Sequence, residues 1–435
     1  MANLPRRPVA IDLFAGAGGF SLGIEQAGFD VAVAVEQDPV HAAVYAFNFP
    51  HSRVLCADIA TLSSQEILDA VDVWVSENRQ QSGNKRYRVS TTPIDLVFGG
   101  PPCQGFSLIG KGLPDDVRNN LVFEFCRLVK ELQPRYFVME NVPGLCQSKY
   151  SHLLKRLMSD FKAAGYEITE PVQVLDAANF GVPQKRQRLF LLGSQVGAAR
   201  LAYPEPELRS KSQYLTVREA IADLPNLDDF IELDNTDCTQ LTPAQLYQMQ
   251  ASATIYVKKL RDLSPDPNNF AYSRWWNPQL LTSSIQTQHT ETSIERFKKT
   301  PLGKLEPISR LRRLDWGKPC YTLRAGTGYD RGSYTSPRPI HPEYPRVISV
   351  REAARLHSFP DWFRFHTTKW HGFREVGNAV PPLLARALGR QIIAALEIEP
   401  SIPPTSLELG DTQLLRFKLL QASQYWKSQA SPLKF

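Results

Sequence analysis

The sequence predicts an α/β fold: a mostly parallel sheet with helices on both faces, followed by a smaller, irregular second domain. Three observations carry that prediction. Short apolar runs alternate with helical patterns through the first 193 residues, as expected of successive β–α–β units. Two of the runs end in glycine-rich turns, at Gly16–Gly19 and Gly99–Gly100; open backbone at the carboxyl edge of a parallel sheet is where such folds bind ligands. After Gly193 the texture changes, and residues 194–364 carry many prolines, few long periodic helices and scattered aromatics.

Taken in order, Val9–Phe14 reads as the first strand and Phe20–Ala27 as a short helix closed by Gly28. Val31–Glu36 is the second strand. Asp38 can cap the helix Pro39–Asn48, whose proline occupies its favoured first position. Further strands are expected at Val54–Cys56, Ile94–Phe98, Tyr136–Glu140, Glu167–Val174 and Arg188–Leu192. Helices fall between them at Ser64–Val71, Asn119–Leu132 and Ser151–Ala164, with a polar surface insertion over Glu77–Thr92. Regular helix returns at Pro382–Leu396. In the final stretch, an amphipathic segment Thr412–Tyr425 is expected to pack on the body.

Composition narrows the function class. The chain has 435 residues, 43% of them hydrophobic and 22% charged, which is ordinary for a soluble globular protein of two or three domains. No run approaches the roughly 18–20 apolar residues of a membrane span, and the first residues lack the apolar core of a signal peptide. A cytoplasmic location without a membrane partner is expected. The six cysteines are scattered, with no CxxC pair and no histidine at ligand spacing. Neither a disulfide framework nor a metal site is therefore expected. A net charge of +6 is compatible with a polyanionic partner.

The segment GGPPCQGFS, Gly99–Ser107, follows the apolar run Ile94–Phe98. A strand there delivers Cys103 to the sheet edge, stiffened by Pro101 and Pro102 and followed by a glycine-bearing polar loop. That arrangement suits a rigidly presented thiolate nucleophile. The earlier turn DLFAGAGGFSLG, Asp12–Gly23, spaces its glycines as Gly16-x-Gly18-Gly19. This is neither the dinucleotide pattern nor a phosphate loop. Glu36 ends the next strand, where a ribose-binding acid belongs, and Asp58 follows the third. A nucleoside cofactor without pyrophosphate fits, namely S-adenosyl-L-methionine: glycines for its methionine part, Glu36 for the ribose hydroxyls, Asp58 for the adenine amino group.

In this order the motifs resemble those of the DNA (cytosine-5) methyltransferase family. DLFAGAGGFSLG resembles its cofactor loop and GGPPCQGFS its nucleophile loop. Glu140-Asn141-Val142 matches its ENV motif, Gln184–Arg188 its QxRxR motif, and Gly377-Asn378-Ala379-Val380 a late motif that returns to the catalytic domain. The resemblance covers residues 1–193 and 310–396; residues 195–305 fall in the family's variable, target-reading region. It implies a methyltransferase fold with a catalytic and cofactor-binding domain formed by residues 1–193 with 365–400. A target-recognition domain over 194–364 and an extension over 401–435 complete the chain. The implied cofactor residues are Phe14, Ala15, Gly16, Gly18, Gly19, Glu36, Asp58, Ile59, Pro102, Leu121, Asn378 and Ala379.

The implied reaction explains the residue types. Carbon 5 of cytosine is a weak nucleophile until a thiolate adds to carbon 6, the role expected of Cys103. Glu140 is placed to hydrogen-bond nitrogen 3 and the exocyclic amine. Arg188 is placed to hold the ring carbonyl oxygen, and Arg186 to meet a phosphate or Glu140. The carbonyl of Pro102 is a candidate acceptor for the exocyclic amine. The base must leave the duplex to be reached, and Gln104–Asn120, with Ser107, Lys111 and Arg118, suits a segment closing over it. Eight basic residues between Arg296 and Lys318 are read as a phosphate-facing wall. Gln286, Gln288 and His289 are candidates to reach base edges, as are Trp275 and Trp276, for which core packing is the favoured expectation. Double-stranded DNA is the expected partner, with the same chemistry on transfer RNA as the alternative. A monomer is expected, with a cognate restriction endonuclease as a possible companion.

Overall fold

The computed structural model describes residues 7–82, 93–102, 121–326 and 338–429. Its first half alternates β1 (Val9–Leu13), α1 (Gly19–Ala27), β2 (Asp30–Val35), α2 (Pro39–Asn48), β3 (Arg53–Leu55), α3 (Ser64–Ser82), β4 (Leu96–Gly99), α4 (Leu121–Leu132), β5 (Tyr136–Asn141) and α5 (Ser151–Ala163). Then come β6 (Tyr166–Ile168), β7 (Gln173–Asp176), β8 (Gln184–Lys185) and β9 (Gln187–Gln195).

All but β8 form one eight-stranded sheet, ordered β3-β2-β1-β4-β5-β9-β6, with β7 also on β9. The pairs from β3 to β5 are parallel. The strand order reverses between β1 and β4, which opens a crevice at their carboxyl ends.

Side chains alternate across the sheet with period two. Val9, Ile11, Leu13, Val97, Phe137 and Met139 face a core shared with α3, α4 and α5. Ala10, Leu96, Phe98, Tyr136 and Val138 face the opposite side, covered by α1 and by residues 384–396.

The structure refines several expectations. Arg188–Leu192 lies in a longer strand, β9, that runs antiparallel to β5, β6 and β7. The short link from β7 cannot supply the crossover a parallel strand needs. The single strand expected over Glu167–Val174 is broken into β6 and β7, because Pro171 has no N–H to continue a ladder. Helix α3 runs well past Val71, since Trp74 and Val75 prolong the buried stripe of Ile67, Ala70 and Val71. Of the stretch read as a surface insertion, the first residues are therefore helical and 83–92 lie outside the described residues.

Beyond β9 the elements are short. They are α6 (Val217–Ile221), β10 (Thr239–Gln240), α7 (Pro243–Ala251), α8 (Ile255–Leu260), β11 (Arg274–Trp275), β12 (Leu280–Leu281), α9 (Glu291–Lys299) and β13 (Cys320–Tyr321). Buried ion pairs help to organise this region: Arg355 is held by Asp223 and Asp361, and Asp361 also accepts from Arg261.

The chain then returns through α10 (Val350–Arg355), α11 (Lys369–Asn378) and α12 (Pro382–Ala395), followed by β14 (Leu407–Glu408) and α13 (Leu419–Gln429). Helix α12 lies against α1 at backbone distance. A Cβ on Gly23 would stand 2.3 Å from the Pro382 carbonyl oxygen, and one on Gly389 2.6 Å from Ala27 Cβ.

The amphipathic segment Thr412–Tyr425 comprises a 3-10 turn, Thr412–Arg416, and the first part of α13. Both pack on α2, as expected of that segment: Leu414 and Leu415 join Ala43 and Phe47, and Trp426 Nε1 donates to the Pro39 carbonyl at 2.9 Å.

Candidate active site

The crevice is walled first by the turn after β1. Phe14 takes a left-handed backbone conformation, φ 69°, and Ala15 N–H donates to the Val35 carbonyl at 2.9 Å. Gly16 follows at φ 56°, and a Cβ there would meet nothing within 4 Å. The backbone thus presents an open flank that L residues rarely adopt. Gly18 caps α1 with φ 99°. Gly16 N–H donates to Glu36 Oε2 at 2.7 Å and Asp38 N–H to Glu36 Oε1 at 2.8 Å. Burial raises the Glu36 pKa against the opposing pull of His41 and those amides.

The neighbouring strand end is tied in by Glu36 N–H to Leu55 and Ala57 N–H to Glu36. This brings Asp58 and buried Ile59 to the same edge, with Asp58 Oδ1 accepting from Ala60 N–H at 3.0 Å. Phe14, Ala57 and Leu121 pack on one apolar cluster. The opposite rim is the turn after α11: a Cβ on Gly19 would stand 2.8 Å from both Ala379 Cβ and the Val380 carbonyl oxygen. Asn378 is exposed beside it. An open glycine flank facing a carboxylate with no phosphate cradle is a donor set that fits S-adenosyl-L-methionine.

The second wall is the turn after β4. Asn141 Nδ2 donates to the Pro101 carbonyl at 3.2 Å while its Oδ1 accepts from Val142 N–H at 2.9 Å. Asn141 is almost fully buried, so it fixes the backbone just before exposed Pro102. Cys103 and Gln104–Asn120, with Ser107, Lys111 and Arg118, lie outside the described residues. Glu140 stands over this turn, where a Cβ on Gly100 would be 2.8 Å from Glu140 Oε2.

The antiparallel β5–β9 ladder sets Arg188 beside Glu140, with Nε 2.7 Å from Oε1. Burial raises the Glu140 pKa, opposed by Arg188 and then by Arg186. The site therefore holds a carboxyl able to carry a proton, paired to a cation at the crevice floor.

Arg186 corrects the expectation of a phosphate contact. It is 1% exposed, and its guanidinium donates to the carbonyls of Leu323, Gly377 and Ala379 at 2.7–3.0 Å. No DNA phosphate can reach a group so enclosed. Gln184 complements it: its side chain accepts from Leu323 N–H at 2.9 Å, donates to the Leu356 carbonyl and meets His357 Nδ1 at 2.9 Å. His357 Nε2 lies 2.9 Å from the Ala379 carbonyl, and β13 pairs with β8 in parallel. The QxRxR segment thus brackets the late turn to the sheet. His357 was not picked out by sequence, because its partners are more than 20 residues away.

The basic run is partly consumed by the fold. Arg313 donates to the backbone carbonyls of Phe297, Lys298, Thr300, Pro342 and Glu343, and Arg312 to Gly303 while lying over the Tyr321 ring. Arg296, Lys298 and Lys318 pair with Glu306, Glu295 and Asp315. Lys299, Lys304 and Arg310 are exposed. Gln286 and His289 are likewise spent on backbone at Leu227 and Val347, and Gln288 on Asp234. Trp275 is 68% exposed while Trp276 packs on the core.

The chain is similar to known proteins over most of its length. The family described as C-5 cytosine-specific DNA methylase matches residues 9–394. The chain is 48% identical over 417 residues to the type II methyltransferase M.XorII of Xanthomonas oryzae pv. oryzae, covering 96% of this chain and 92% of that one. It is 33% identical to the type II methyltransferase M.DdeI of Desulfomicrobium norvegicum over 88% of each. Among solved structures, one described as a DNA modification methyltransferase encoded within an E. coli prophage superposes with a TM-score of 0.68 at 33% identity. That match covers 90% of this chain and 99% of that one.

Proposed function

The chain belongs to the C-5 cytosine-specific DNA methylases and is a DNA (cytosine-5-)-methyltransferase; from that premise we propose how its residues divide the work. The observation that carries the proposal is the Glu140–Arg188 pair standing over Gly100–Pro102, next to the Gly16–Glu36 crevice. No helix among the described residues is long and apolar enough to cross a membrane.

S-adenosyl-L-methionine, when bound, supplies a methyl group on an electrophilic sulfonium. Phe14, Ala15, Gly16, Gly18 and Gly19 receive its methionine part; Glu36 takes the ribose hydroxyls, and Asp58 with Ile59 the adenine. Pro102, Leu121, Asn378 and Ala379 complete the enclosure. The target cytosine swings out of duplex DNA to enter the crevice, at a cost of about a few kcal/mol. The Cys103 thiolate adds to carbon 6, which turns carbon 5 into an enamine-like nucleophile. Glu140, its proton affinity raised by burial, holds a proton at nitrogen 3, and Arg188 offsets charge building on the ring oxygen. Carbon 5 takes the methyl group, the donor sulfonium keeping the bond's electron pair as a neutral thioether; water accepts the carbon 5 proton, and the freed electron pair re-forms the double bond between carbons 5 and 6 and expels the Cys103 thiolate.

Residues 1–193 with 365–400 carry this chemistry, residues 194–364 read the target site, and 401–435 extend the body. The protein acts as a monomer in the cytoplasm on nucleoid DNA, alongside a restriction endonuclease of the same site. The relatives named above are DNA enzymes, which weighs against transfer RNA as acceptor. The test is transfer of tritiated methyl groups from S-adenosyl-L-methionine to duplex DNA and to transfer RNA, with nucleoside mass spectrometry. 5-Methylcytosine in DNA supports the reading; a mark on adenine, or on transfer RNA alone, overturns it.

A further inference from the structure

We propose that His41, His371 and Glu375 form a binding site for a divalent transition-metal ion of the zinc class, bridging α2 to α11. Each residue offers one ligand atom, and these atoms lie within 4.8 Å of one another. His371 and Glu375 are four residues apart on α11 and so share one face of the helix; His41 meets them from the first turns of α2. His41 and Glu375 are buried, at 5% and 2% exposure.

The polar atoms that would bind the ion have no other use. His41 Nε2, His371 Nδ1 and Glu375 Oε1 are buried without a hydrogen-bond partner, an arrangement that costs about 1–3 kcal/mol per group unless something satisfies it. Their neighbours are accounted for: Glu375 Oε2 accepts from His366 N–H at 3.0 Å, and His366 Nδ1 accepts from Thr368 N–H at 3.1 Å. Asp38 Oδ2 stands 3.9 Å from His41 Nδ1, the other ring nitrogen.

Two imidazoles and a carboxylate form a zinc-type donor set with a fourth position for water. Bonds of about 2.0–2.2 Å would draw the three atoms to roughly 3.4 Å apart, a contraction that half-buried His371 can supply by rotation.

The position gives the ion a task. Helix α2 starts just after Glu36, and α11 ends at Asn378, so the ion pins the two rims of the crevice together. That consequence rests on the cofactor reading; metal binding itself does not.

The full chain, stripped with a chelator and dialysed, is titrated with Zn²⁺ by calorimetry and with Co²⁺ by visible absorption. One equivalent of zinc per chain is expected, with a rise in Tm and cobalt bands of a four-coordinate nitrogen–oxygen site lacking thiolate charge transfer. Glu375→Gln and His371→Ala each lose that equivalent and the Tm rise. Should buried His41→Ala fail to fold, the half-buried His371 variant, checked by circular dichroism, decides the matter. No stoichiometric zinc in the wild type, or zinc retained in the H371A/E375Q double variant, overturns the proposal; retention would locate the ion at thiols.

Discussion

Arg188 Nε lies 2.7 Å from Glu140 Oε1, and the same carboxylate is crowded against Gly100 through its other oxygen. One side chain is therefore tied to a cation and stands beside the turn that leads to Cys103. Replacing it tests proton transfer without emptying the crevice. Glu140→Gln is expected to slow single-turnover methyl transfer by about 10²–10⁴-fold while leaving S-adenosyl-L-methionine affinity within a factor of two or so. Wild-type rates in this variant would remove Glu140 from the chemistry.

Arg188→Ala should act in two ways. Loss of its charge at the ring oxygen slows transfer by about 10²–10³-fold. Because Arg188 opposes the burial that raises the Glu140 pKa, its removal raises that pKa further. The limb of the pH–rate profile that reports a protonated Glu140 should then move to higher pH. A profile unchanged in shape would show that the pair is not coupled.

Arg186 is expected to behave as a positioning residue. Arg186→Ala removes the side-chain donor to the Leu323 and Gly377 carbonyls and one of two groups at the Ala379 carbonyl, which keeps His357 Nε2; each buried carbonyl left without that donor costs about 1–3 kcal/mol. Urea denaturation should register that loss, and cofactor affinity should fall because the turn at Gly377–Ala379 is held less firmly. The salt dependence of DNA binding should stay as in the wild type. A shallower salt slope would instead mean a phosphate contact.

Lys299, Lys304 and Arg310 are exposed members of the basic run, and the triple alanine variant tests whether the run faces DNA. If all three meet phosphates, the slope of log K against log salt should fall by about 3 in magnitude, with little change in sequence preference. An unaltered slope would place the DNA elsewhere.

Acid should unfold the protein through a small set of pairs. Against burial, which by itself would raise them, their arginine partners hold the pKa values of Glu25, Glu352 and Asp361 at about 2. A depressed carboxyl pKa stabilises the fold above its unfolded value, near 4, and that stability is lost as pH falls toward 2. Each contributes on the order of 2–3 kcal/mol at neutral pH. These three carboxyls should thus make urea midpoints drop most steeply between pH 4 and 3. Asp361→Asn, which uncovers Arg355 and Arg261, should lower the midpoint at every pH and flatten that drop.

The strands and helices of the first half were legible because burial on both faces writes nearly continuous apolar runs, and because Asp38–Pro39 marks a helix start that the structure reproduces. The direction of β9 was not, since strand polarity depends on the length of a connection rather than on the strand's residues. The cofactor turn and its acid were visible as local patterns. The functions of Arg186, Gln184 and His357 were not, because each is defined by carbonyls 100 or more residues away or by a turn met only after folding. The same reason hid the His41–His371–Glu375 cluster: the four-residue spacing on α11 was present in the sequence, but its third member lies 330 residues earlier.

The glycine interlock of α1 with α12 has a consequence for synthesis. Part of one side of the sheet, and the outer face of α1, stays bare until residues 384–396 have left the ribosome, since they share an apolar cluster with Phe20, Ile24 and Phe98. Chains terminated early should therefore be sticky and short-lived, and a separately supplied C-terminal peptide should rescue them.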